Sequence, residues 1–435
     1  MSFEMTTLGE YIKVQGGYAY KSKDFIESSE NKVLKIKNVR FGTVDYSEPA
    51  YISDEIAKTT KNWKVNEGDV LISMTGSGPN APQSLVGRVA RVWKNEPDAW
   101  INQRVGRICL LDENMVHLDF IFYWLSLPQS QDYLVSNSSG SANQANISGK
   151  IIESLPCPKV DYQTSRQIAD LARKFDEKII VNSQTNKTLE EMAQAIFKSW
   201  FVDFEPVKAK MNGEQPEGMD AATASLFPEK LDSETGLPEG WKLSEIGDEV
   251  TVVGGGTPSK KNDDFWVNGH IHWTSPKDLS GVQDKVLLDT ASKVTEAGLK
   301  KISSGLLPVD TVLLSSRAPV GYLALAKVPM AINQGYIAMK CEKQLPPEFV
   351  IQWCVHRMDE IKQRASGSTF AEISKKSFKP ISVVVPSEDT LNAYQKIVKP
   401  LYDAITSNAR QNEQLSSLRD TLRPKLLSGE LSISD

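Results

Sequence analysis

The sequence predicts an α+β chain: two strand-rich α/β domains separated by a pair of long antiparallel, coiled-coil-like helices and related by an internal pseudo-two-fold repeat. Three observations predict it. A helical seam is written twice at one offset, each seam follows short strands rich in branched residues, and the motifs recur in one order.

The seam comes first because it fixes the plan. Ile168, Leu171, Phe175, Ile179, Asn182, Asn186, Leu189, Met192, Ile196 and Trp200 follow one another in steps of three and four, the spacing of one helix face. Adding 226 to each number gives Tyr394, Ile397, Leu401, Ile405, Asn408, Asn412, Leu415, Leu418, Leu422 and Leu426. The asparagine interruptions recur with the apolar positions, which indicates duplication. Helices of about 33–39 residues would be roughly 50–58 Å long. Packed antiparallel, they bring Asn182 opposite Asn412 and Asn186 opposite Asn408, with Ile179 meeting Leu415. Such a polar layer fixes register at some cost in stability; the alternative is that the asparagines face solvent where the helices fray.

The segments follow in order. Residues 1–158 form the first strand-rich domain, with strands expected at 68–73, 87–93 and 104–111 and an aromatic-rich helix at 117–126. Residues 159–204 hold the first long helix, from about Thr164 to Phe204, ended by Pro206. Residues 205–240, rich in Pro, Gly, Glu and Asp, read as an exposed linker. Residues 241–386 repeat the first domain. LGEYIKVQGG (8–17) returns as IGDEVTVVGG (246–255), GDVLIS as DTVLLS, WINQ (100–103) as AINQ (331–334), and ANISGK as AEISKK. Residues 387–435 hold the last helix, about Thr390 to Ser428, with Gly429 as its stop. Pro400 and Pro424 are expected at a helix start, a kink or a frayed end.

Composition narrows the class. Hydrophobic content of 40% and charged content of 24% suit a globular protein rather than a membrane or disordered one. The opening MSFEMTTLGEYIKV has no basic stretch followed by an apolar one, so a cytoplasmic location is expected. Cys109, Cys157, Cys341 and Cys354 lack paired spacing and read as reduced thiols; His270 and His272 read as surface residues, and no metal site is expected. A net charge of −5 excludes a chain that is basic all over, yet nucleic-acid binding needs only local Lys and Arg.

Catalytic motifs are missing. TGSGPN lacks the lysine of a phosphate-binding loop, GGGTPSKK is not a dinucleotide fingerprint, and no Asn/Asp-Pro-Pro-aromatic tetrad or nucleophile–base pairing is present. No catalytic residue is therefore assigned, and a binding protein is the leading reading. Its rivals are an enzyme with an unrecognised site, such as a self-sufficient methyltransferase, and a purely structural adaptor. Candidate DNA contacts are polar and basic residues on loops. They are Lys21, Lys23, Ser73, Thr75, Ser77, Asn80, Gln83, Arg88 and Arg104 in the first domain. In the second they are Thr257, Ser259, Lys260, Lys261, Lys277, Ser315, Ser316, Arg317, Gln334, Ser366 and Ser368. Lys and Arg match phosphate charge, while Ser, Thr, Asn and Gln satisfy base edges.

The motifs also resemble a known family. SWFVDFEPVKAKMNG (199–213) with LPEGWK (237–242), then GGGTPSKK, WTSPKDL, LSSRAPVGYLAL, INQG and GSTFAEISKK, are similar to the DNA specificity subunits of type I restriction-modification systems; so are VLISMTGS, GRVARV and NQRVGRI in the first domain. The resemblance covers the whole chain. It implies two target-recognition domains, each reading one half of a bipartite, asymmetric double-stranded DNA site, with the helices as a ruler between them. It implies no cofactor in this chain. Two modification subunits would bring S-adenosylmethionine and methylate adenine, whether or not restriction subunits using ATP and magnesium join them. It implies no base contact residue by residue, because recognition loops vary with their target.

Overall fold

The computed structural model describes residues 3–78, 85–141, 144–282, 284–367 and 371–433. Two compact units divide the chain, residues 1–178 with 415–435 and residues 179–414, so each long helix contributes to both.

The same four-strand arrangement is built in each unit, and the second adds a fifth strand, Val286–Leu287, parallel to its edge. In the first, the strands Ile12–Gly16, Val105–Leu110, Val70–Ser73 and Val89–Arg91 lie side by side in that order, every neighbour antiparallel. In the second, Thr251–Val253, Tyr336–Lys340, Val312–Ser315 and Leu323–Ala326 repeat the order and the sense. Beside each sheet lies a parallel strand pair: Lys32–Leu34 with Ala99–Ile101, and Ile271–Thr274 with Met330–Ile332. A two-stranded closure completes each copy, Met5–Thr7 on Pro156–Pro158 and Lys242–Glu245 on Ser382–Val385. Two strands of each copy are wholly buried, Val70–Ser73 with Val89–Arg91 and Val312–Ser315 with Leu323–Ala326, as their mostly apolar sequences require.

The first long helix spans Tyr162–Phe201 and the last Glu388–Ser428. In the unit 179–414 they run antiparallel. The Asn182 amide donates to Asn412 Oδ1 (2.8 Å) and the Asn408 amide donates to Asn186 Oδ1 (2.9 Å), while Phe197, Trp200 and Phe201 gather around Tyr394. In the other unit, Asp176 meets Arg419 at 2.7 Å, and Ile168, Ala169 and Ala172 share a core with Leu426 and Leu427. Each strand-rich domain is tied to helix residues of its own unit. Buried Asp119 accepts from Arg91 and Arg173, and Glu190 accepts from Lys285 and Gln352.

The structure departs from the sequence reading in four places. The first long helix ends at Phe201, because Phe204 takes a left-handed conformation (φ 53°) and Pro206 then opens a separate helix, Glu205–Met211. Pro400 and Pro424 lie within the last helix without interrupting it, and Gly429 (φ 76°) follows its end. Residues 205–240 are no exposed tether: Val207 and Phe227 are buried in the second unit's core, and the Lys210 ammonium donates to the Phe227 carbonyl. Finally, Met192, Ile397 and Leu418 face solvent, since the packed stripe passes instead through Ala193, Phe197 and Tyr402.

One half-buried carboxyl makes the first unit's stability pH-dependent. Burial pushes Glu96 up to about 7, although Trp93 N, the Tyr46 hydroxyl and Arg91 all favour its anion. A carboxyl raised above its ordinary 4.5 binds its proton more tightly in the folded state. Its contribution is complete below that value and is lost as pH rises through about 7. Between about pH 5 and pH 8 the chain should lose on the order of 1–2 kcal/mol at this site, allowing for partial exposure. Urea unfolding should show Glu96→Gln removing that loss; an unchanged pH profile in the variant would contradict the assignment.

Candidate nucleic-acid interface

In both sheets, most of the polar loops singled out in the sequence emerge at one end. The residues after Gly16 and Ser73, and those before Val89 and Val105, lie together by the antiparallel register, which pairs Gly16 with Gly106 and Ser73 with Val105. The second copy does the same after Val253 and Ser315 and before Leu323 and Tyr336, with Val253 on Ala338 and Ser315 on Tyr336.

Glycine allows these loops to approach the neighbouring strand ends. A Cβ on Gly17 would lie 2.2 Å from the Asn102 carbonyl oxygen, and one on Gly255 would lie 1.9 Å from that of Ile332. The next residue in each copy donates its N–H across: Tyr18 to Ile101 O (3.0 Å) and Gly256 to Ile332 O (2.9 Å). The repeated GG and INQ motifs are thus two sides of one clasp.

Several predicted contacts prove to be interior ties. Ser73 and Ser315 have no exposed surface. Ser73 Oγ accepts from Arg88 N, and Ser315 Oγ donates to Pro319 O while accepting from Tyr322 N. Thr75 is buried against Asn146, and Ser316 is held by Gly335 O and Ile373 N. Arg88 is 2% exposed; its guanidinium donates to Val39 O (2.9 Å) and Ile36 O (2.7 Å), and burial, then Arg40, push it below its usual value. These five close the loops rather than present them. Ser77 is half-buried and bridged to Leu85. Asn80, Gln83 and Ser368 lie outside the described residues.

The remaining candidates reach the surface. Lys21, Lys23 and Arg104 are exposed in the first copy. In the second, Thr257, Lys260, Lys277 and Gln334 come together around a cleft of about 850 Å³, beside Trp273 and Ser275. Ser259 and Lys261, on the same loop as Lys260, are exposed. Arg317 and Ser366 form a second group, both bridged to Glu372; the Arg317 guanidinium is 3.8 Å from that carboxylate.

The acids beside the cleft are engaged by groups other than its lysines. Asp278 is occupied, accepting from Ser275 N and Oγ and from Ala291 N. Asp289 pairs with His272 (3.0 Å) and Lys293 (3.3 Å); burial opposes its ionisation, but Thr290 N and these two partners hold it below the usual carboxylate range. Lys260 and Lys277 pair with no carboxylate among the described residues. The Thr257 hydroxyl donates to Gln334 Oε1 (2.6 Å), leaving that side chain's NH₂ to face a ligand. Two free ammonium groups and an amide donor suit an anionic oxygen. No cluster of His, Cys, Asp or Glu able to hold a metal is found among the described residues. Nor is any described helix long and apolar enough to cross a membrane.

The family model for the type I restriction modification DNA specificity domain matches twice, over residues 2–191 and 238–417. The chain is 26% identical over 413 residues to the type I restriction enzyme HindI specificity subunit of Haemophilus influenzae, covering 84% of this chain and 87% of that one. It is 32% identical over 184 residues to the MjaIX specificity subunit of Methanocaldococcus jannaschii, 42% of each chain. Its fold is similar to that of the S subunit of a type I restriction-modification system from M. genitalium, with a TM-score of 0.59 at 16% identity, covering 99% of this chain and 97% of that one.

The clasp is testable within one loop. Gly255→Ala should cost about 2–4 kcal/mol, because carbonyls on a packed strand end cannot retreat. Gly256→Ala meets nothing nearer than 3.8 Å and should change stability by less than about 1 kcal/mol. Equal effects in denaturant melts would contradict the close approach.

Proposed function

The chain belongs to the type I restriction-modification DNA specificity family, and from that premise we propose that it reads a bipartite, asymmetric DNA target as the specificity subunit of such a complex. The observation that carries the reading is a sheet built twice, with polar loops at the corresponding end of each copy and unlike residues on those loops. One copy offers Lys21, Lys23 and Arg104, the other Thr257, Lys260 and Arg317. Unlike loops on like scaffolds suit unlike half-sites.

In this reading the subunit performs no chemistry. Two modification subunits, carrying S-adenosylmethionine, methylate adenine in each half, whether or not restriction subunits using ATP and magnesium join them for cleavage. The long helices set the spacing of the half-sites and dock the modification subunits on their outer faces. Met192 and Leu418 support two equivalent docking points: they stand at the duplicated offset of 226 and are 47% and 48% exposed. Helices of 40 and 41 residues, each roughly 60 Å long, suit two readers about one turn, roughly 34 Å, apart on a duplex.

Co-expression with the modification subunit, followed by genome-wide mapping of methylated adenines, tests this reading. The wild type should methylate one two-part sequence. Inserting a heptad into both helices adds about 10 Å and should lengthen the gap by about three base pairs with both halves unchanged. Altered halves, an unchanged gap, or methyl transfer by the purified chain alone would overturn the reading.

A further inference from the structure

We infer that each copy carries a sequence-independent clamp for the DNA backbone, made of one lysine and one glutamine: Lys37 with Gln103, and Lys277 with Gln334. The inference rests on the DNA-reading function above and divides its labour. Residues shared by two domains that read different half-sites can serve only what those half-sites share, which is the phosphate chain.

Strand register makes the residues equivalent. In the parallel pairs, Leu34 stands beside Ile101 and Thr274 beside Ile332. The next residue on one strand then donates back to the other in both copies: Asn102 N to Leu34 O (3.0 Å) and Asn333 N to Thr274 O (2.9 Å). Three residues beyond Leu34 is Lys37, and three beyond Thr274 is Lys277; one beyond each asparagine is Gln103 or Gln334. Both lysines sit on turns closed by the same bond, from Lys35 N to Asn38 Oδ1 (2.9 Å) and from Ser275 N to Asp278 Oδ2 (2.7 Å). The surrounding letters, KIKN and SPKD, differ at all positions except the lysine.

The turns are braced from behind. Buried Arg88 donates to Ile36 O and Val39 O, the carbonyls flanking Lys37 and Asn38, while the Tyr336 hydroxyl donates to Ser275 O (2.7 Å). Gln103 is exposed and its side chain makes no hydrogen bond among the described residues. Lys277 and Gln334 line one cleft. Lys37 touches Glu48 at 2.9 Å, but the two side chains are 53% and 79% exposed, so a phosphate can displace that carboxylate at little cost. The loops that differ between copies, with Lys21, Lys23 and Arg104 in one and Lys260 and Arg317 in the other, are left to read bases.

The full chain, co-purified with its modification subunit, is titrated with its methylated target duplex and with an unrelated duplex across a range of salt. Lys37→Ala and Lys277→Ala should each weaken binding to both duplexes by about 5- to 10-fold and reduce the slope of log K against log salt by about one. Lys→Arg at either position should restore both. Gln103→Ala and Gln334→Ala should weaken both duplexes without changing the slope, and the methylated sequence should stay the same in every variant. A changed base preference in either half, or unchanged affinity and slope in the lysine variants, would overturn the clamp. If the wild-type complex itself shows no sequence preference, the DNA-reading function fails and the clamp with it.

Discussion

Four asparagine side chains in the seam of the duplicated helices are the constraint on which the rest of the structure depends. Asn182 and Asn186 are 2% and 1% exposed, so their amides have almost no access to water. A buried amide without a partner costs several kcal/mol, roughly the margin by which many domains fold. Here Asn182 is met by Asn412 and Gln411, and Asn186 by Asn408 and the Ile405 carbonyl. Only an antiparallel pairing in this register supplies all these partners; a slip of one turn would keep one asparagine pair and set the other two amides against apolar seam residues such as Ile179 or Leu189. An all-leucine seam would bind more tightly and tolerate several registers. The buried amides thus select a single register at the expense of the last increment of stability.

The duplication explains how one scaffold can serve two targets without catalytic groups. The clasp of glycine on strand-end carbonyl, the capped turn after the parallel strand and the serine at the end of the central strand occur twice. Each absorbs its own polar groups, as Ser73 and Ser315 do. What reaches solvent at the sheet end is free to differ. Electrostatics follow the same division. The whole chain carries a charge of −5, yet the acids around the second cleft are held by other groups, and Lys260 and Lys277 pair with no carboxylate among the described residues. Local charge, rather than net charge, decides what such a surface attracts.

Much of this was legible in the sequence because duplication makes a chain its own comparison. The 226-residue offset exposed the helix seam, the asparagine partners and the order of the repeated motifs. Glycine stops and branched strands could be placed from local chemistry. Accessibility was not legible: Ser73, Thr75, Arg88, Ser315 and Ser316 stand beside loops and look available, but hydrogen bonds, local for Ser315 and to residues farther along the chain for the others, tie them inside. The linker misled for a similar reason. Its composition is that of a tether, and only Val207 and Phe227 reveal that it packs. Pro400 and Pro424 show that a long amphipathic face can outweigh a missing backbone donor. Lys37 went unnoticed because KIKN and SPKD share one letter, and their equivalence appears only when strand register aligns them.

The most direct test of the account is cross-linking across the asparagine layer in the full chain, with Asn182→Cys combined first with Asn412→Cys and then with Asn408→Cys. The first combination joins residues in contact, and the second is displaced by about one helical turn, roughly 6 Å. Under mild oxidation the first should close to near completion within one chain, while the second stays reduced. Equal closure of both, or of neither, would contradict a single antiparallel register.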